Sequence, residues 1–212
     1  MKDRLTFAVP AGTYSVGPEE TEIRLGRFYV SAAAATVAEV IECINARGGE
    51  PSPDSYSFVN FVNEHLPFFR KPDGTVTLRK GFSSSTPAAG LTFAGAMLYC
   101  EMVGGRLPTE AEWEVSIRIS QDIAAADNVA DGQRRLVDWQ DLRQWCSDIF
   151  HPDHPYAGSL DESLPETEMR VVRGGSYNRS ELDVSWYRRS GKWMWHGGDA
   201  TGVRVVYERE PK

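Results

Sequence analysis

Residues Gly104-Gly105-Arg106-Leu107-Pro108-Thr109-Glu110-Ala111-Glu112-Trp113-Glu114 constrain the folding of this chain more than any other stretch. Thr109 followed three positions later by Glu112 is a capping box. Each side chain satisfies an amide that the first helical turn leaves unpaired. Pro108 stands just before the cap, and Glu110 lies near the positive end of the helix dipole. Trp113 is placed to pack back toward Leu107 or Pro108. The stretch predicts an amphipathic helix running to about Ile119, launched from a Gly-Gly turn that ends the helix before it.

The same logic extends along the chain. Thr36-Val37-Ala38-Glu39 is a second capping box, opening a helix whose Val37, Val40, Ile41 and Ile44 share one face and which stops at Gly48-Gly49. A third helix is expected over Thr92 to Val103. Strands are expected at Leu5–Val9, Thr13–Gly17 and Glu22–Val30. Residues 169–177 and 202–208 also alternate like strands, around a long loop at 178–201. Residues 50–90 read as irregular, with a short helix near Phe58–Glu64, and Ala124–Pro165 as turn-rich. Strands at both ends and helices between, without βαβ alternation, predict an α+β fold. With no internal repeat and no linker, residues 1–212 read as a single domain.

Composition narrows the partners. The chain has 23 basic against 30 acidic residues, a net charge of −7, and no basic cluster, so a nucleic-acid groove is not expected. No segment approaches the length of a membrane span or a signal peptide, which predicts no membrane partner. The expected location is cytoplasmic, or virion-borne or secreted without a classical signal. Cys43, Cys100 and Cys146 lie far apart and fit no zinc spacing. Cys43 and Cys100 fall among apolar residues of expected helices, as buried thiols do.

Several blocks, in order, resemble the formylglycine-generating, or sulfatase-modifying, enzyme family. They are Pro10–Gly17, Gly26–Val30, Ala96–Cys100 with Gly104–Glu114, Gln144–Asp148, Arg170–Tyr177 and Thr201–Val205. The resemblance covers almost the whole chain. It implies the family's variant of the C-type lectin fold, a twisted antiparallel sheet with a few helices and long loops. It also implies a copper site made by two cysteines about five residues apart, shortly after the Gly-Gly-Ser-Tyr block. Here those positions hold Arg179 and Val184. A guanidinium and an isopropyl group cannot replace the soft thiolates that Cu(I) selects. Copper and formylglycine-generating activity are therefore not expected. The family's calcium stretch is also altered, with Asp141-Leu142-Arg143 in place of its usual Gly-Asn pair. Asn128, Asp131, Asp138 and Asp141 still offer the hard oxygens that calcium takes, and they equally suit Asx turns. No other cofactor is expected.

What remains is the polar and aromatic segment at the family's substrate loop. Asn178, Arg179, Glu181, Asp183, Ser185, Tyr187, Arg189, Lys192, Trp193, Trp195, His196 and Asp199 combine rigid aromatics with adaptable hydrogen-bonding groups, the chemistry of a binding surface. They read as a face for a protein or small-molecule ligand. The tryptophans read equally well as core cover. The resemblance leaves two functions open. One is a non-catalytic binding protein, including the variable proteins of diversity-generating retroelements, which resemble this chain in the Arg-Gly-Gly-Ser-Tyr and Gly-Val-Arg blocks. The other is a diverged oxidase or natural-product enzyme without the cysteine pair, for which Glu181, Asp183, Tyr187, Arg188 and His196 are the acid–base or orienting candidates. His151-Pro152-Asp153-His154 reads as a solvated turn.

Overall fold

The computed structural model describes residues 5–50, 57–126, 136, 139–153, 155–156, 169–176 and 186–211, with the backbone alone at 123–126. An amino-terminal group of strands comes first: β1 (Thr6–Val9), β2 (Gly12–Val16), β3 (Thr21–Leu25) and β4 (Phe28–Ser31). β2 and β3 form a hairpin, while β1 pairs antiparallel with β4. Helix α1 (Val37–Ala46) follows, with the Thr36–Glu39 capping box complete. Its end is a Schellman motif, in which Gly48 N donates to Asn45 O and Gly49 N to Ile44 O.

A hairpin of β5 (Phe68–Arg70) and β6 (Val76–Leu78) then interrupts the segment expected to be irregular. The expected helix near Phe58–Glu64 is absent. Asn60 Oδ1 accepts from the amides of Val62 and Asn63, and Asn63 Oδ1 from that of His65. These Asx turns take the backbone donors that a helix would need. Helix α2 (Phe93–Met102) is capped by Thr92, whose Oγ1 accepts from Gly95 N. It ends in a second Schellman motif. Gly104 N donates to Glu101 O and Gly105 N to Cys100 O, and Gly104 takes the φ of +75° that the turn requires.

Helix α3 (Glu110–Ala126) runs well past the expected stop at Ile119. Its capping box is formed: Thr109 N donates to Glu112 Oε2 at 2.8 Å and Glu112 N to Thr109 Oγ1 at 3.1 Å. After it come β7 (Arg143–Ile149), β8 (Met169–Arg173), β9 (Arg189–Trp193), β10 (Thr201–Gly202) and β11 (Val206–Tyr207). They form two sheets, ordered β1-β4-β11 and β10-β7-β8-β9. Two expectations are corrected here. Residues 178–201 are not all loop, since β9 pairs residue by residue with β8. The second sheet is not wholly antiparallel, because β10 runs parallel to β7.

Alternation along β7 and β8 divides the core in two. Trp145 and Val172 face a cluster built on α1 and α2, while Cys146 and Val171 face one built on α3. Trp113 belongs to the second cluster, apart from Leu107 in the first. Its ring meets Trp139 edge-on at 6.3 Å, and its Nε1 donates to Gln144 Oε1 at 2.8 Å. No helix among the described residues is long and apolar enough to cross a membrane.

Candidate functional site

Two polar assemblies flank β9, one closed and one open. The closed one starts from the helix that the capping box launches. Glu110 and Glu114, one turn apart on α3, are both fully buried. Arg173 of β8 reaches both, with Nη1 at 2.8 Å from Glu110 Oε1 and Nη2 against Glu114 Oε2. Arg189 of β9 adds Nε at 2.7 Å from Glu110 Oε1 and donates from Nη1 to His151 O. Glu114 also accepts from Gly17 N and from the Tyr156 hydroxyl. Burial and the Glu114 carboxylate push the Tyr156 phenol well above its ordinary value. Asp148 accepts from Glu110 N at 2.7 Å. Burial lifts its carboxyl to about 6 against the pull of that amide, and the neighbouring Glu110 charge adds to the rise. The guanidinium of Arg189, expected at a binding face, is thus held inside the scaffold.

The open assembly lies beyond β9. Trp193 and Trp195 stack with centroids 5.1 Å apart and planes 19° from parallel, and they stay 45% and 43% exposed. Their turn is pinned from below. Phe93 N, an unpaired donor of the first turn of α2, bonds Met194 O, and His196 N bonds Trp193 O. Asn60 Nδ2 donates to Gly197 O, and Asn63 Nδ2 to Asp199 Oδ1. The Lys192 ammonium lies close over Gly198. Burial, with Arg143 nearby, lowers its pKa, and Asp199 opposes that shift. His196 is exposed beside Trp195, while Tyr187 and Arg188 are exposed at the other end of β9, with the Tyr187 ring edge-on to Trp186 at 5.4 Å.

Trp195 and His196 form one wall of a cleft of about 550 Å³ whose other walls come from Ser57, Val59–Val62, Thr92, Glu50 and Arg70. Sequence reasoning missed Glu50, Asn60 and Arg70. They lie in a segment without periodicity, and only the fold brings them to the carboxy-terminal loop. Glu50 is 4% exposed. Its Oε1 accepts from Phe58 N at 2.7 Å. Burial raises its pKa to about 7, against the Phe58 amide, Ser57 and Arg70, which favour the charged form.

Asn178, Arg179, Glu181, Asp183 and Ser185 lie outside the described residues, as do Asn128, Asp131, Asp138 and His154. Asp141 is exposed on a different cleft, near His65. Among the described residues no group of three or more His, Cys, Asp or Glu side chains is arranged to hold a metal ion. The donor set does not fit copper. Arg179 and Val184 occupy the thiolate positions that the family resemblance implies. Cys43, Cys100 and Cys146 are all buried outside any disulfide, and burial together with Asp148 and Glu110 pushes the Cys146 thiol far up.

Residues 3–140 match the sulfatase-modifying factor enzyme 1-like domain. The formylglycine-generating enzyme of Bos taurus is 26% identical over 200 residues, covering 75% of this chain and 50% of that protein. The chain thus spans about half the length of that relative. PvdO from Pseudomonas aeruginosa superposes with a TM-score of 0.64 at 16% identity, over 96% of this chain and 94% of that one. Treponema denticola variable protein 1 gives a TM-score of 0.54 at 13% identity, over 96% and 95%. At these identities the two structures speak to the fold alone.

Proposed function

The chain belongs to the sulfatase-modifying factor enzyme 1-like family, and from that membership we propose that it is a non-catalytic ligand-binding protein whose binding face lies in residues 178–201. Its fold is the α+β, formylglycine-generating-enzyme type of the C-type lectin fold. The Trp193–Trp195 stack carries the reading. Large aromatics are normally buried, and a stacked pair left more than two-fifths exposed on a turn tied down by backbone bonds offers rigid contact area at little entropic cost. The ligand is a protein or small molecule; no nucleic acid, membrane or copper takes part. Calcium is left to the oxygens of Asn128, Asp131, Asp138 and Asp141.

Arg179 and Val184 support the loss of the oxidase chemistry. Pure protein supplied with Cu(I) and a Cys-x-Pro-x-Arg peptide is expected to hold no stoichiometric copper and to leave the peptide cysteine unchanged. One tightly bound copper per chain, or formylglycine in the peptide by mass spectrometry, would overturn the proposal. The subtype is the variable protein of a diversity-generating retroelement, supported by the order Arg173-Gly174-Gly175-Ser176-Tyr177 then Gly202-Val203-Arg204. Its test is genomic. A reverse transcriptase beside the gene, with a near-repeat of codons 176–204 differing at adenines, is expected, and absence of that repeat removes the subtype.

A further inference from the structure

Two residues that line the cleft with Trp195 each carry a buried polar atom without a partner among the described residues. Glu50 Oε2 and Arg70 Nε are both buried, and neither makes a hydrogen bond among the described residues. An orphaned polar atom costs about 1–3 kcal/mol, so two on residues that line one cleft are unusual. Each side chain is otherwise committed by the fold. Glu50 follows the Schellman end of α1, with its backbone N bonded to Gly74 O and its Oε1 to Phe58 N. Arg70 ends β5. Both residues line the cleft, so a small swing of the carboxylate or the guanidinium presents the orphaned atom to a ligand.

The pair defines what can bind there. A cation meets Arg70, and an anion meets the Glu50 carboxylate. An apolar ligand leaves both atoms unsatisfied. A hydroxyl both donates and accepts, so adjacent hydroxyls serve Oε2 and Nε together. Above the floor, Trp195 offers an exposed aromatic surface suited to the apolar face of a ring. The cleft volume of about 550 Å³ lies within the range of small-ligand sites.

We propose that this cleft binds one ring of a neutral carbohydrate, its hydroxyls on Glu50 and Arg70 and its apolar face against Trp195. The assignment rests on the reading of the Trp193–Trp195 surface as a binding face, and it makes Glu50 and Arg70 the floor of that face.

The test is tryptophan-fluorescence titration of the full chain with neutral gluco-, manno- and galacto-oligosaccharides, with free amino acids and inorganic phosphate as comparison probes and a random peptide library on the same protein. At least one neutral oligosaccharide is expected to quench emission saturably. Trp195→Ala should abolish binding, while Glu50→Gln and Arg70→Lys should each weaken it about tenfold, with unchanged circular dichroism. Saccharide binding that needs Trp195 but ignores both floor variants overturns the floor and spares the binding face. Amino acids, phosphate or peptides binding through Trp195 in place of sugars overturn the ligand class and spare the face. Conversion of the Cys-x-Pro-x-Arg peptide overturns the reading beneath both.

Discussion

Arg173 is fully buried and spans two buried carboxylates, Glu110 and Glu114. Removing one partner of a buried ionic group is costly because it strands charge without solvent. Arg173→Met is therefore expected to destabilise the protein by about 3–5 kcal/mol in urea unfolding. Arg173→Lys should recover part of this, since one ammonium cannot reproduce the planar fork across two carboxylates. Equal losses for both variants would mean that packing against Trp113, 5.3 Å from the guanidinium, dominates. Glu50 works in the opposite sense. Its carboxyl rises from the ordinary 4.5 to about 7, so folding takes up a proton between those values. Stability then falls as pH rises through that window, and the penalty is complete above pH 7. Glu50→Gln is expected to be more stable than the parent at pH 8 by on the order of 2 kcal/mol, with no difference near pH 4. Denaturation midpoints at the two pH values check it. None of this was legible locally. Glu110 reads from sequence only as a complement to the helix dipole, because the arginines that bury it lie far along the chain.

Capping signals translate directly into elements, because a cap is made within four residues of chain. Both capping boxes and both Gly-Gly helix ends stand where the sequence puts them. Strand β9, Arg-Ser-Gly-Lys-Trp, has no alternation of its own, and its extended form comes from pairing with β8. The 58–64 segment is not helical for a related reason: its asparagines close local turns, and its backbone bonds run to distant residues, Asn60 N to Gly90 O and Thr92 N to Phe58 O. That docking dictates Gly95. A Cβ there would stand 1.9 Å from Phe58 O, so α2 can approach the cleft wall only because the position has no side chain. Gly95→Ala gains about 1 kcal/mol of helix propensity, yet the clash with backbone should win. The expected net loss is about 3 kcal/mol. A thermal melt showing stabilisation would mean that the wall yields freely, and the cleft geometry would then be soft.

At the scale of the molecule, the two ends of the chain share one sheet. β4 takes β1 on one side and β11 on the other, and Arg106, just before α3, bridges to Val206 of β11 through a pair of 2.9 Å backbone bonds. Arg204 ties the sheets together, donating from Nε to Gln144 Oε1 at 3.0 Å and from Nη1 to Ser31 O. β7 and β8 supply alternate residues to both core clusters, so neither cluster keeps its wall if the other melts. These links predict one cooperative unfolding transition. The tryptophans make the test internal. Trp145 reports the α1–α2 cluster, and Trp113 with Trp139 reports the α3 cluster. Trp145→Phe and Trp113→Phe shift the fluorescence signal toward opposite sides of the sheet. Each variant's fluorescence transition in urea is expected to coincide with its own far-ultraviolet dichroism transition. If one cluster melts before the other, the central sheet is not a shared wall, and the carboxy-terminal face is held by the α1–α2 cluster alone.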